Sequence, residues 1–164
     1  MDRRILFFQL FQEIIWWLIT AWACWVVIYP IEQKIHFNYR SENLLFVVVG
    51  ITSIRYFIFF NSLFFLKNDW VKFIFFTLNW ALWVYILNRY EMLLQLHEMY
   101  DLQYFGAMKQ VLSSDEQNKV LGYLYREVLL SGLVALVGIP LLNLRFIGAY
   151  WQVAKRKFSI RMQE

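Results

Sequence analysis

Histidines and carboxylates are where this sequence could do chemistry. His97, Glu98 and Asp101 lie close together, and His97 and Asp101, four apart, share one face of a helix. Glu91 lies too far round the same helix to join them. Zinc takes three or four ligands, commonly a second histidine one turn away or paired cysteines. Here the second histidine, His36, lies far upstream, and Cys24 is the only cysteine. A haem or metal held by both histidines would have to sit at a membrane edge. A lone histidine on a polar helical face is ordinarily solvated, so no metal or cofactor is expected. Nor do the residues form a nucleophile–base pair, a phosphate-cradling glycine loop or an acidic metal cluster, so no catalytic residue is assigned. Cys24 cannot form an internal disulfide and, inside an apolar run, is read as a packing residue.

The other informative polar residues interrupt apolar runs. Arg55 stands in the middle of the stretch 44–66. An arginine at the bilayer centre costs roughly 2.5–3.5 kcal/mol on insertion scales, so it is expected to face protein or water. Asn79 lies near the centre of a third stretch, and a short connection between the two stretches predicts that Arg55 and Asn79 meet. Asn61 and Asn143 would extend that polar track. Glu13 and Glu127 are placed at span ends, which leaves Arg55 without an acid. Three resolutions follow: hydrogen bonds to Asn79 and backbone carbonyls, a carboxylate on another subunit, or an anionic ligand in a wet cavity.

The elements positioning these residues are set by composition. Of 164 residues 60% are hydrophobic, 21% aromatic and only 17% charged. A globule this small lacks the interior to hide so much apolar surface, and lipid is the natural sink. Crossing a hydrocarbon core of ~30 Å takes about 20 helical residues. Four stretches qualify: 14–31, 44–66, 70–87 and 128–150, the last containing Pro140 and Arg145. Runs such as Leu44–Leu45–Phe46–Val47–Val48–Val49 do not alternate, which excludes a β-barrel. The fold class is therefore all-α, a polytopic integral membrane protein with four transmembrane helices, read as one membrane domain over 1–164. Arg3 and Arg4 before the first stretch resemble a signal-peptide start, but Trp22 is too bulky for a processing site and the run continues to Ile28; a retained span is expected. Ser131 and Ala135 form a small-residue step where a neighbouring helix can approach. Trp16, Trp17, Trp70 and Trp151 suit an interfacial belt, whereas Trp22, Trp25, Trp80 and Trp83 lie deeper and are assigned to packing between helices.

Residues 88–127 form the one sizeable connection, read as an extramembrane amphipathic helical hairpin. Leu93, Leu96, Tyr100, Tyr104, Ala107 and Val111 recur at helical steps, opposite Glu91, Gln95, Glu98 and Asp101. Ser113 with Glu116, or Ser114 with Gln117, fits a capping box that starts a second arm running into the fourth span.

A net charge of +4 does not imply nucleic acid. The dense basic group, Lys155, Arg156, Lys157 and Arg161, follows an apolar helix, a pattern that marks a cytoplasmic membrane face. With Arg3, Arg4, Lys67 and Lys72 it outnumbers Lys34, Arg40, Arg89, Lys109, Lys119 and Arg126 on the opposite side, so both termini are expected to be cytoplasmic. The expected partners are the lipid bilayer and a membrane protein, or further copies of this chain. Three functions are in view: an accessory, scaffold or assembly subunit of a membrane complex; a transporter or channel component using the Arg55–Asn79 track; and a membrane enzyme or a haem- or quinone-binding subunit. Aromatic-heavy spans without repeats or glycine breaks speak against the second, and the lack of a catalytic grouping ranks the third last.

Overall fold

The structure, a computed structural model, describes residues 3–60, 69–98, 101–109 and 111–161. It is built from four helices, α1 (Arg3–Glu32), α2 (Arg40–Ile58), α3 (Asp69–Glu98) and α4 (Ser114–Arg161), and two three-residue strands, β1 (Ile35–Phe37) and β2 (Gly106–Met108). All four helices are long and apolar enough to cross a membrane. Helix is what such sequences must form there, because hydrocarbon offers backbone N–H and C=O groups no outside partner.

Successive helices run in opposite directions, yet the tightest interface joins the parallel pair α2 and α4. Small residues allow it. A Cβ added to Gly50 would stand 3.0 Å from Val134 Cγ1, and one added to Gly138 would stand 3.0 Å from Ser53 Cβ. Ala135, on the small-residue step expected from sequence, is fully buried in this seam. α1 packs on α2 and, less closely, on α4. α3 rests chiefly on α4, with the Tyr90 ring lying over Gly132 and meeting Phe46 of α2 edge-on, ring centroids 6.3 Å apart.

α4 is a single rod of 48 residues, about 72 Å long and more than twice the hydrocarbon thickness. It begins at the expected capping box: the Ser113 N–H donates to Glu116 Oε2 at 3.1 Å, and the Glu116 N–H donates to Ser113 Oγ at 3.4 Å. This first turn stands outside the spanning part. There the Ser113 N–H, then its hydroxyl and the Lys34 ammonium, hold the exposed Glu116 carboxyl below the usual carboxylate range.

Pro140 lies within α4 without ending it. Proline has no N–H, so the carbonyl four residues earlier, Leu136, loses its intrahelical donor. The indole of Trp83 on α3 replaces it, donating from Nε1 to Leu136 O at 2.9 Å. One turn along, Asn79 Nδ2 donates to Asn143 Oδ1 at 3.1 Å. These two bonds dock α3 on α4.

Two expectations about the elements need correction. The second stretch does not stay helical to residue 66: α2 ends at Ile58, and residues 61–66 lie outside the described residues. Likewise the first arm of the hairpin ends in helix at Glu98, not at Val111. Asp101 Oδ1 accepts from the Gln103 N–H at 2.9 Å and opens a 3-10 turn, Leu102–Tyr104, that leads into β2. Gly106 explains the change: glycine weakens a helix, and here a Cβ would collide with the His36 carbonyl of β1. β1 and β2 pair antiparallel, Ile35 with Met108 and Phe37 with Gly106, tying the first and third connections together at one end of the bundle. Leu102 and Phe105 are buried, whereas Tyr104, Ala107 and Val111, expected on the apolar face, are exposed. Tyr100 lies outside the described residues.

Trp83→Phe is expected to leave the Leu136 carbonyl without a donor and to cost about 1–3 kcal/mol, read as lower resistance to unfolding in mixed micelles. In a Pro140→Ala background the helix supplies its own N–H, so the same substitution should cost clearly less.

Candidate functional site

Arg55 lies in the last turn of α2, not at the middle of a longer helix. It is not without an acid: it forms an ion pair with Glu13 of α1. The charge-free run that set the start of the first span at residue 14 hid this. α1 begins eleven residues earlier, at Arg3, and Phe7, Phe8, Leu10 and Phe11 keep it apolar before Glu13, so the carboxylate lies within the helix. The Arg55 side chain is 5% exposed. Its guanidinium also lies 5.8 Å from the Trp16 ring centroid and 5.1 Å from that of Tyr56, within cation–π range. At the opposite end of the same interface, Arg40 Nη1 and Glu32 Oε1 are 2.8 Å apart.

Asn79, the expected partner of Arg55, turns to α4 and bonds Asn143. The structure therefore brings Asn79 and Asn143 together, while Arg55 turns to Glu13 of α1. Asn61 lies outside the described residues. Asn79 also borders a cavity of about 210 Å³ shared with Ser53 and Tyr56 of α2 and Trp17 of α1.

On the third connection Glu91 and Glu98 are exposed, and Asp101 is engaged in its turn. His97 stacks on Tyr125 of α4, with ring centroids 4.2 Å apart and planes at 18°. His36 is exposed on β1 opposite Ala107. Among the described residues no three of His, Cys, Asp or Glu are grouped as a metal site.

The sequence reading overlooked a second polar cluster, between α1, α2 and α4. Glu127 lines a cavity of about 300 Å³ whose walls are otherwise almost wholly apolar, among them Val27, Val47, Ile51, Leu130 and Val134. The Asn43 amide and Ser131 hydroxyl lie alongside its carboxylate. Both Glu127 oxygens and both polar atoms of the Asn43 amide are buried without a hydrogen-bond partner of proper geometry, and Asn43 is 0% exposed. Position hid the pair, since each residue precedes an apolar run and reads as its boundary. The clue was that both boundaries fall at the same end of parallel helices.

A third feature is a stripe along α1. Leu18, Trp22, Trp25 and Tyr29, at alternating steps of four and three, are 65%, 65%, 57% and 46% exposed. Packing within the bundle, the role expected for the deeper tryptophans, holds for Trp83 but not for Trp22 or Trp25. Trp80 is partly turned outward while its ring meets Trp83 edge-on at 5.9 Å.

Comparison with protein-family models, with curated proteins and with solved structures finds no match for this chain.

Arg55→Leu is expected to destabilise the bundle by about 3 kcal/mol, because Glu13 is then held without its counter-charge. Glu13→Gln combined with Arg55→Leu should recover most of that loss. Equal losses in the single and double variants would show that the pair is not what holds α1 on α2.

Proposed function

We propose that this chain is an accessory or assembly subunit of a larger membrane complex, held in a bilayer by four spans with both termini on the cytoplasmic side. The observation carrying this reading is the exposed stripe Leu18–Trp22–Trp25–Tyr29 on α1. Its three- and four-residue steps are those of a helix–helix seam. Tryptophan belongs at the membrane interface rather than in the hydrocarbon centre, yet Trp22 falls at the middle of the first apolar stretch. A partner helix seated on the stripe gives these rings aromatic and aliphatic contacts that lipid chains supply less well.

The uneven burial of the helices supports the same reading. Within their most apolar windows 44% of α4 residues are buried but only 6% of α3 residues, so most of the surface of α3 is open to lipid or to another chain. The third connection, with α3 prolonged to Glu98 and the start of α4 beside it, is the extramembrane platform of the proposal. Its exposed Glu91, Gln95 and Glu98 give it a polar rim for a partner's soluble part. The ion pair between Arg55 and Glu13 removes the need for a partner's carboxylate at Arg55, so the partner contact is assigned to α1.

Purification in mild detergent followed by mass spectrometry is expected to recover this chain with a larger membrane protein. Trp22→Ala with Trp25→Ala should reduce that recovery about tenfold, the effect of losing ~1.4 kcal/mol of contact. A chain that purifies alone, or only with itself, would contradict the proposal.

A further inference from the structure

The Glu127 cavity is chemically divided. At one end stand the carboxylate of Glu127 and the hydroxyl of Ser131, with the buried Asn43 amide behind the carboxylate; the remaining walls are hydrocarbon. No lysine or arginine among the described residues forms an ion pair with Glu127. A carboxylate buried without a counter-charge calls for an explanation. A ligand that meets both ends of the cavity provides one.

The polar end defines the head group. Two Glu127 oxygens and Ser131 Oγ are three acceptors, and a primary ammonium carries three N–H donors and a positive charge. An alkali cation would use the same oxygens but would gain nothing from the apolar walls. A partner's lysine would satisfy the polar end and leave the apolar end unfilled.

The apolar end defines the tail. On α4 the lining runs from Glu127 to Val134 and on α2 from Phe46 to Ile51, up to about 10 Å along the helix axis. Glu127 and Asn43 each immediately precede the apolar stretches of α4 and α2, at the depth where lipid head groups meet hydrocarbon, and the walls descend from there. The volume, about 300 Å³, is at the lower end of the range for small-molecule sites, enough for the head and the upper part of one acyl chain.

We propose that the cavity between α1, α2 and α4 is a binding site for an amine-headed lipid, whose ammonium is held by Glu127 and Ser131 and whose acyl chain lies against Val47, Ile51, Leu130 and Val134. Asn43, beside the carboxylate, backs the polar end. The site prefers a primary ammonium to a trimethylammonium of equal charge, because the latter has no N–H to donate.

The test uses the full chain, purified and placed in nanodiscs of equal parts phosphatidylethanolamine and phosphatidylcholine, then released for native mass spectrometry. The wild type should retain phosphatidylethanolamine over phosphatidylcholine by about tenfold, the scale of one charge-assisted contact. Glu127→Gln, close in shape, should bring the ratio near unity. Ile51→Trp, which fills the cavity, should abolish retention of either lipid. Equal retention of the two lipids by the wild type would overturn the proposal whatever the variants do, as would an unchanged preference in Glu127→Gln. Because the purified chain is used without any partner, the outcome is independent of whether it belongs to a complex.

Discussion

A backbone carbonyl released by proline has no water to turn to inside hydrocarbon, and the Leu136 oxygen of α4 meets this difficulty by accepting from the Trp83 indole. The rest of the bundle answers the same constraint in other ways. Asn79 bonds Asn143 across the same interface, and Arg55 pairs with Glu13 across α1 and α2. Each lateral helix is thus fastened to the central pair by polar groups that hydrocarbon would otherwise leave unsatisfied. Apolar packing alone distinguishes poorly between a neighbouring helix and lipid, so these bonds, together with the glycine seam of α2 and α4, select the arrangement. Where a buried carboxylate has no counter-charge among the described residues, at Glu127, the bundle has a cavity.

α2 and α4 approach closely through Gly50, Ser53, Ala135 and Gly138, while α1 and α3 pack against this pair. Each outer helix has one face on protein and the others open, and this gives α1 room for an outward aromatic stripe. At one end the β1–β2 ladder and the bond from the Asn38 N–H to Phe105 O at 2.9 Å keep the two long connections together. The surface proposed for a partner, the cavity proposed for a lipid and the tied connections therefore use different parts of one scaffold and need not compete.

Much of this was legible before the structure. Four apolar stretches separated by charges specify four helices, and the Ser113–Glu116 spacing fixed the start of α4. What the sequence concealed was pairing. Glu13 and Glu127 were read as span boundaries because a charge is the usual end of an apolar run, yet in both cases the helix continues through the charge. The short link makes α2 and α3 neighbours, and they meet at Phe46 and Tyr90, but it does not say which polar groups pair: Asn79 turns to Asn143 of α4 and Arg55 to Glu13 of α1. Periodicity carried the first arm of the hairpin past Gly106, since a hydrophobic pattern takes no account of a backbone approach as close as that to His36. One clue was available and local: a proline at position 140 implies a free carbonyl at Leu136, and a tryptophan in the facing stretch is a donor of the right reach.

All of this presupposes that hydrocarbon surrounds the outward faces of α3 and α4. In a Cys24→Ser background, single cysteines placed at Leu78 and Leu144, both exposed on the bundle, and at Ala107 on β2 can be challenged with a membrane-impermeant maleimide in open membrane sheets. The account requires Ala107→Cys to react promptly, and Leu78→Cys and Leu144→Cys to react only after denaturation. Prompt labelling of the latter two would place those faces in water and contradict it.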